Sequence, residues 1–80
     1  MSYPCLCCGY LTAKEDARGS YEICPVCFWE DDPVQSDAPD NEGGADGVSL
    51  NQARKNFAKC GACRAEVVTY VRKPSATEIP

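Results

Sequence analysis

Four cysteines in two pairs carry the clearest chemistry in this sequence. Cys5-x-x-Cys8 and Cys24-x-x-Cys27 are separated by fifteen residues, Gly9 to Ile23, a spacing that fits a four-thiolate zinc site. A C-x-x-C turn brings two sulfurs to one side of a tight knuckle. Gly9 supplies the small residue needed just after the first knuckle, and Pro25 stiffens the second. Two such knuckles facing each other complete a tetrahedron at Zn–S distances of about 2.3 Å. Four thiolates close the coordination shell, which marks a structural zinc rather than a catalytic one with an open position for water. The expected cofactor is therefore one structural Zn²⁺ on Cys5, Cys8, Cys24 and Cys27. Tetrahedral sulfur ligation also suits iron, which stays open as an alternative.

Three cysteines remain. Cys7 lies inside the first knuckle and reads as a bystander thiol. Cys60-Gly61-Ala62-Cys63 is a third C-x-x-C and raises a thiol-redox reading. A thioredoxin-like motif follows a strand and opens a long helix in a βαβ unit, which this chain is too short to build. Cys60 and Cys63 are accordingly expected as small packing residues; a second metal site using Cys7, Cys60 and Cys63 would need a fourth ligand from Asp or water. The chain has no His, which removes the commonest general base and every Ser-His or Cys-His pair. No catalytic residues are assigned.

The elements that must position these groups divide the chain into three regions of one domain, residues 1–73. Residues 1–29 read as a zinc-ribbon-like β-hairpin, with strands at Tyr10-Leu11-Thr12 and Ser20-Tyr21-Glu22-Ile23 around a polar turn, Ala13–Gly19. Phe28 and Trp29 are expected to cover the knuckles. Residues 30–47 hold seven acids, two Pro, three Gly and one sizeable apolar residue, Val34. That is the chemistry of a solvated acidic loop, and Asp37-x-x-Asp40-Asn41-Glu42 lacks EF-hand spacing for calcium. Residues 48–73 form the helical region. Ser49 and Gln52 suggest a capping box, with Val48 as staple; Leu50, Ala53 and Phe57 make one apolar stripe and Gly61 a stop. A short second helix with Cys63, Val67, Tyr70 and Val71 on one face is expected to end before Pro74. Residues 74–80 read as a flexible tail. The fold class expected is a small α+β metal-bound domain.

Composition supports a metal-held fold. Leu, Ile, Val and Phe make up 13 of the 80 residues while Cys makes up 7, so apolar burial alone looks marginal for so short a chain. The start Met1-Ser2-Tyr3-Pro4 has no basic or apolar leader, and no apolar run reaches membrane length; a cytoplasmic, reducing location is expected, where clustered cysteines favour metal over disulfides. Residues 1–50 carry two bases against ten acids, net −8, and residues 51–80 carry six bases against two acids, net +4. Arg54, Lys55, Lys59, Arg64, Arg72 and Lys73 read as a solvated helix face that offsets the acidic half. A phosphate backbone would meet too many acids, which argues against a nucleic-acid-binding zinc ribbon and for a protein partner.

Three stretches together resemble a known family. They are Tyr3-Pro4-Cys5-Leu6-Cys7-Cys8-Gly9-Tyr10, Tyr21-Glu22-Ile23-Cys24-Pro25-Val26-Cys27-Phe28-Trp29-Glu30-Asp31-Asp32, and Gly47-Val48-Ser49-Leu50-Asn51-Gln52-Ala53-Arg54-Lys55-Asn56-Phe57. Over roughly residues 3–72 the chain resembles the bacterial cysteine-rich CPCC domain family. Leu6 departs from the family's eponymous Cys-Pro-Cys-Cys but spares all four proposed ligands. Cys60 stands where an aromatic or similar apolar residue is expected. The resemblance implies a small zinc-ribbon-like protein without an established biochemical activity, so it adds to the fold and ligand readings more than to function. The reading that follows is a structural-zinc, non-enzymatic interaction or adaptor module; the alternatives are a thiol-redox protein using Cys60 and Cys63 and a nucleic-acid-binding ribbon.

Overall fold

The computed structural model describes residues 2–14 and 19–80. In chain order these hold the two cysteine knuckles, helix α1 (Pro33–Asp37), helix α2 (Leu50–Cys60), and two 3₁₀ turns at Ala65–Tyr70 and Ala76–Glu78. No β-strand forms among the described residues. Two isolated antiparallel bridges, Tyr3 with Ala13 and Ile23 with Glu30, stand where the hairpin was expected. Each bridge closes the ends of a single knuckle instead of joining the two. The reason lies in the backbone donors. Cys5 N–H donates to Tyr10 C=O and Cys24 N–H to Trp29 C=O, both at 2.9 Å, so residues that could have built a ladder between the halves are spent inside each knuckle. Residues 15–18 of the expected Ala13–Gly19 turn lie outside the described residues.

Helix α2 follows its local signals. Ser49 Oγ accepts from Gln52 N–H at 3.0 Å, while the Gln52 side chain turns to Asn56 Oδ1 at 2.9 Å, so the capping box is half formed. Gly61 ends the helix in the left-handed conformation, φ 80°, with its N–H on Phe57 C=O. Leu50 and Ala53 are buried and Phe57 is half-buried. The expected second helix is the 3₁₀ turn Ala65–Tyr70, which buries Val67 and leaves Tyr70 exposed.

The acidic stretch is built differently from a solvated loop. Asp31, Asp32, Gln35 and Asp46 are all buried. Asp32 caps α1, its Oδ1 accepting from Val34 N–H at 2.8 Å and its Oδ2 from Ala45 N–H at 2.9 Å. Asp31 Oδ2 takes the N–H groups of Gly19 and Ser20 and the Ser20 hydroxyl. Gln35 stands at the centre, donating to Val48 C=O at 2.7 Å and Asn41 C=O at 3.1 Å. Gly44 lies so close that a Cβ there would meet the Gln35 side chain at 2.6 Å. The acids thus serve as acceptors for loop N–H groups that would otherwise be buried unpaired.

Candidate metal centre

Both knuckles share one backbone pattern. In the first, Gly9 N–H returns to Cys5 C=O at 2.8 Å with Gly9 at φ 80°; in the second, Phe28 N–H returns to Cys24 C=O at 2.8 Å with Phe28 at φ 69°. The left-handed residue after the second cysteine turns the chain back and aims both sulfurs of each pair inward. Gly9 fills that position without strain, whereas Phe28 is held there by its surroundings.

The two knuckles meet face to face. The Sγ atoms of Cys5, Cys8, Cys24 and Cys27 all lie within 4.8 Å of one another. Cys5 Sγ is 3.6 Å from Cys27 Sγ, and Cys8 Sγ is 3.7 Å from Cys24 Sγ. A regular tetrahedron of sulfurs around a zinc ion at about 2.3 Å has edges of about 3.8 Å. The two observed separations match that edge. Cys5, Cys24 and Cys27 are buried and Cys8 is half-buried. All seven cysteines are free thiols, so no disulfide competes for these sulfurs.

The ionisation of the four thiols is shared. Cys27 above all, then Cys5 and Cys8, donates toward Cys24 and pulls its thiol far down. Cys24 in turn pushes Cys8 and Cys27 up more than any other neighbour does. At Cys5 the opposing push from Cys24 is outweighed by Cys27 and Cys8, and the thiol is lowered. Each short S···S pair therefore sets a thiol pulled down, Cys5 or Cys24, beside one pushed up, Cys27 or Cys8. Four thiolates at these separations require a cation between them, and the donor set suits a soft or borderline metal.

The predicted ligands are the four residues brought together. Cys7 is buried but lies outside the group. Cys63 is fully buried, its thiol pushed up to about 12 by burial first and then by Cys7 and Asp46. Cys60 ends α2 exposed, against the packing role expected for it, and its Sγ contacts Ala62 C=O at 3.6 Å. No second group of potential metal ligands assembles among the described residues. Trp29 is buried as expected, and Phe28 is half-buried under Tyr70, ring centroids 5.6 Å apart.

A match to the cysteine-rich CPCC family model covers residues 3–78. The chain belongs to the cysteine-rich CPCC family. No curated protein matches it in sequence. The eponymous segment of this CPCC chain is Cys5-Leu6-Cys7-Cys8; the knuckle closes without proline through Gly9 N–H on Cys5 C=O, and Leu6 C=O accepts from Arg54 Nε at 2.8 Å. That bond ties the first knuckle to α2. Cys63 N–H donates to Cys27 C=O at 2.8 Å and ties the second knuckle to the segment after α2.

Sequence reasoning missed two contributors. Thr12 Oγ1 lies 3.1 Å from Cys24 Sγ; a hydroxyl four residues beyond a knuckle carries no spacing signal. The other is the segment 72–78. Arg72 N–H donates to Pro25 C=O at 3.1 Å, and Leu11 N–H donates to Glu78 C=O at 2.7 Å. Arg72 and Glu78 close the span with paired bonds of 2.8 Å each. Residues 74–80, expected as a flexible tail, thus carry a turn bonded to the segment after the first knuckle. Its signal was present as Ser75-x-x-Glu78, whose Ser75 N–H donates to Glu78 Oε1 at 2.8 Å.

Proposed function

We propose that this CPCC chain is a structurally zinc-bound, non-enzymatic module of a reducing, cytosolic compartment that works through contact with a protein partner. The metal assignment is carried by the sulfur geometry: four thiols from two facing knuckles, with edges of 3.6 and 3.7 Å. An all-sulfur closed shell is the arrangement of structural zinc and leaves no site for a reacting water. Native mass spectrometry before and after chelation tests it. One zinc per chain is expected, lost on chelation and absent from Cys24→Ser. Iron, two metals per chain, or a metal retained by Cys24→Ser would overturn the assignment.

The interaction role is supported by what the chain lacks for catalysis and by what it exposes. Without His, the commonest proton-transfer partner for a nucleophile is missing. Tyr21 and Ile23 stand exposed just ahead of Cys24, as apolar contacts for another protein. A thiol-redox role for Cys60 and Cys63 meets an obstacle in the buried Cys63, because a reactive thiol needs exposure and a lowered pKa. Native alkylation at neutral pH should leave Cys63 unlabelled over times in which Cys60 reacts. Rapid labelling of Cys63 would restore the redox reading.

A further inference from the structure

Thr12 touches a proposed ligand directly, and its position is built rather than incidental. Its N–H donates to Tyr10 C=O at 2.9 Å, and the preceding Leu11 N–H is held by Glu78 C=O at 2.7 Å. These bonds fix the backbone on either side of the Thr12 side chain, and the Thr12 Oγ1 to Cys24 Sγ contact measures 3.1 Å. Among the described residues no second hydroxyl reaches a ligand sulfur. The four sulfurs are therefore chemically unequal.

We infer that Thr12 is a positioning residue of the metal centre, whose hydroxyl donates to the Cys24 sulfur, fixing that ligand's rotamer and withdrawing electron density from it. The inference rests on the four-cysteine metal reading. A metal-bound cysteine is a thiolate with no proton to give, so in the loaded protein the hydroxyl must be the donor and the sulfur the acceptor. Such outer hydrogen bonds orient ligands and tune the metal, and their loss typically weakens binding by about 10–100-fold. A thiolate relieved of its donor is more electron-rich, so its charge-transfer transition to a bound metal falls in energy.

The probe is Co²⁺, read by its sulfur-to-cobalt charge-transfer absorption, together with chelator competition for Zn²⁺ at fixed pH. Thr12→Val keeps the shape and removes the hydroxyl; Thr12→Ser keeps the hydroxyl; Thr12→Ala serves if the valine variant fails to fold. The valine or alanine variant should show a red-shifted band and Zn²⁺ affinity lower by about tenfold or more, with Thr12→Ser close to the original protein. An unshifted band with unchanged affinity would overturn the inference, as would a Thr12→Ser variant that behaves like Thr12→Val. If the original protein takes up neither metal, the four-cysteine reading itself fails and this inference falls with it. If it takes up metal and the variants are indistinguishable, only the role of Thr12 fails.

Discussion

Phe28 occupies a left-handed backbone conformation, φ 69°, that costs a side-chain-bearing residue about 1–2 kcal/mol. It is tolerated because the knuckle needs that turn and because the Tyr70 ring covers the Phe28 ring. Asp46 is a second residue held against its own preference. Its Oδ1 accepts from Glu30 N–H at 2.6 Å, but its buried Oδ2 has no hydrogen-bond partner. Burial, the largest cause, raises its pKa to about 6, opposed by the Glu30 N–H and aided by the Glu30 charge. A carboxyl whose folded pKa lies above its unfolded one stabilises the fold when protonated. Its contribution is complete below the ordinary value of 3.8 and lost as pH rises through about 6. Asp46→Asn keeps an acceptor for Glu30 N–H and removes the buried charge. It should stabilise the protein at pH 7 by on the order of 1 kcal/mol, with the advantage shrinking toward pH 5. Denaturant unfolding of both proteins at the two pH values measures this, and an advantage that grew at pH 5 would contradict it.

Among the elements, the C-terminal turn has the most direct bearing on the metal centre. Residues 72–78 reach from Pro25 in the second knuckle to Leu11 after the first, and the Arg72–Glu78 pair closes the reach. The Arg72 guanidinium, then the Ser75 N–H, holds the Glu78 carboxyl down to about 2. A lowered carboxyl contributes above its ordinary pKa and loses that contribution only as pH falls through about 2. Across neutral pH the clasp is therefore insensitive to acid but, being exposed, sensitive to salt. Glu78→Gln should speed chelator-driven metal loss a few-fold at low ionic strength, and the difference should fade at high salt. Equal release rates at low salt would remove the clasp from the account. The same elements show what the sequence made legible. Helix α2 was readable because Ser49, the Leu50-Ala53-Phe57 stripe and Gly61 are all local signals. The ligand set was readable because knuckle spacing is also local. Helix α1 was not: Asp32-Pro33 is a cap followed by proline, but the helix turns its Gln35 inward and leaves Val34 exposed, so no apolar period marks it. The expected strands failed because alternation along Tyr10–Thr12 and Ser20–Ile23 cannot reveal that each knuckle captures the nearby backbone groups for itself.

At the scale of the whole molecule, C-terminal arginines tie the chain together and the four-cysteine group sits in the core. Three of the six bases in the C-terminal part are committed to the protein itself: Arg54 to Leu6 C=O, Arg64 to Asp46 C=O, and Arg72 to Glu78. Among the described residues the buried apolar side chains are few: Val26, Trp29, Leu50 and Val67 are the larger ones, beside Ala53, Ala62 and the buried cysteines. Cys5, Cys24 and Cys27 belong to that same cluster, so the four-cysteine group is part of the core rather than an attachment to it. Both knuckles, α2 through Arg54, and the segment after it through Cys63 converge on these sulfurs. Structural zinc in small modules contributes about 10–16 kcal/mol, comparable with a small domain's entire stability of about 5–15 kcal/mol. Removing the metal should therefore unfold the chain cooperatively instead of loosening one corner. Amide chemical-shift dispersion and the near-ultraviolet signal of Trp29 should collapse together on chelation and return together when Zn²⁺ is restored. Cys5→Ser, Cys8→Ser, Cys24→Ser and Cys27→Ser should each reproduce the collapsed state, while Cys7→Ser and Cys60→Ser should stay dispersed. A chelated protein that kept dispersed α2 resonances while losing only the knuckle signals would show that the helix and its buried face stand without the metal.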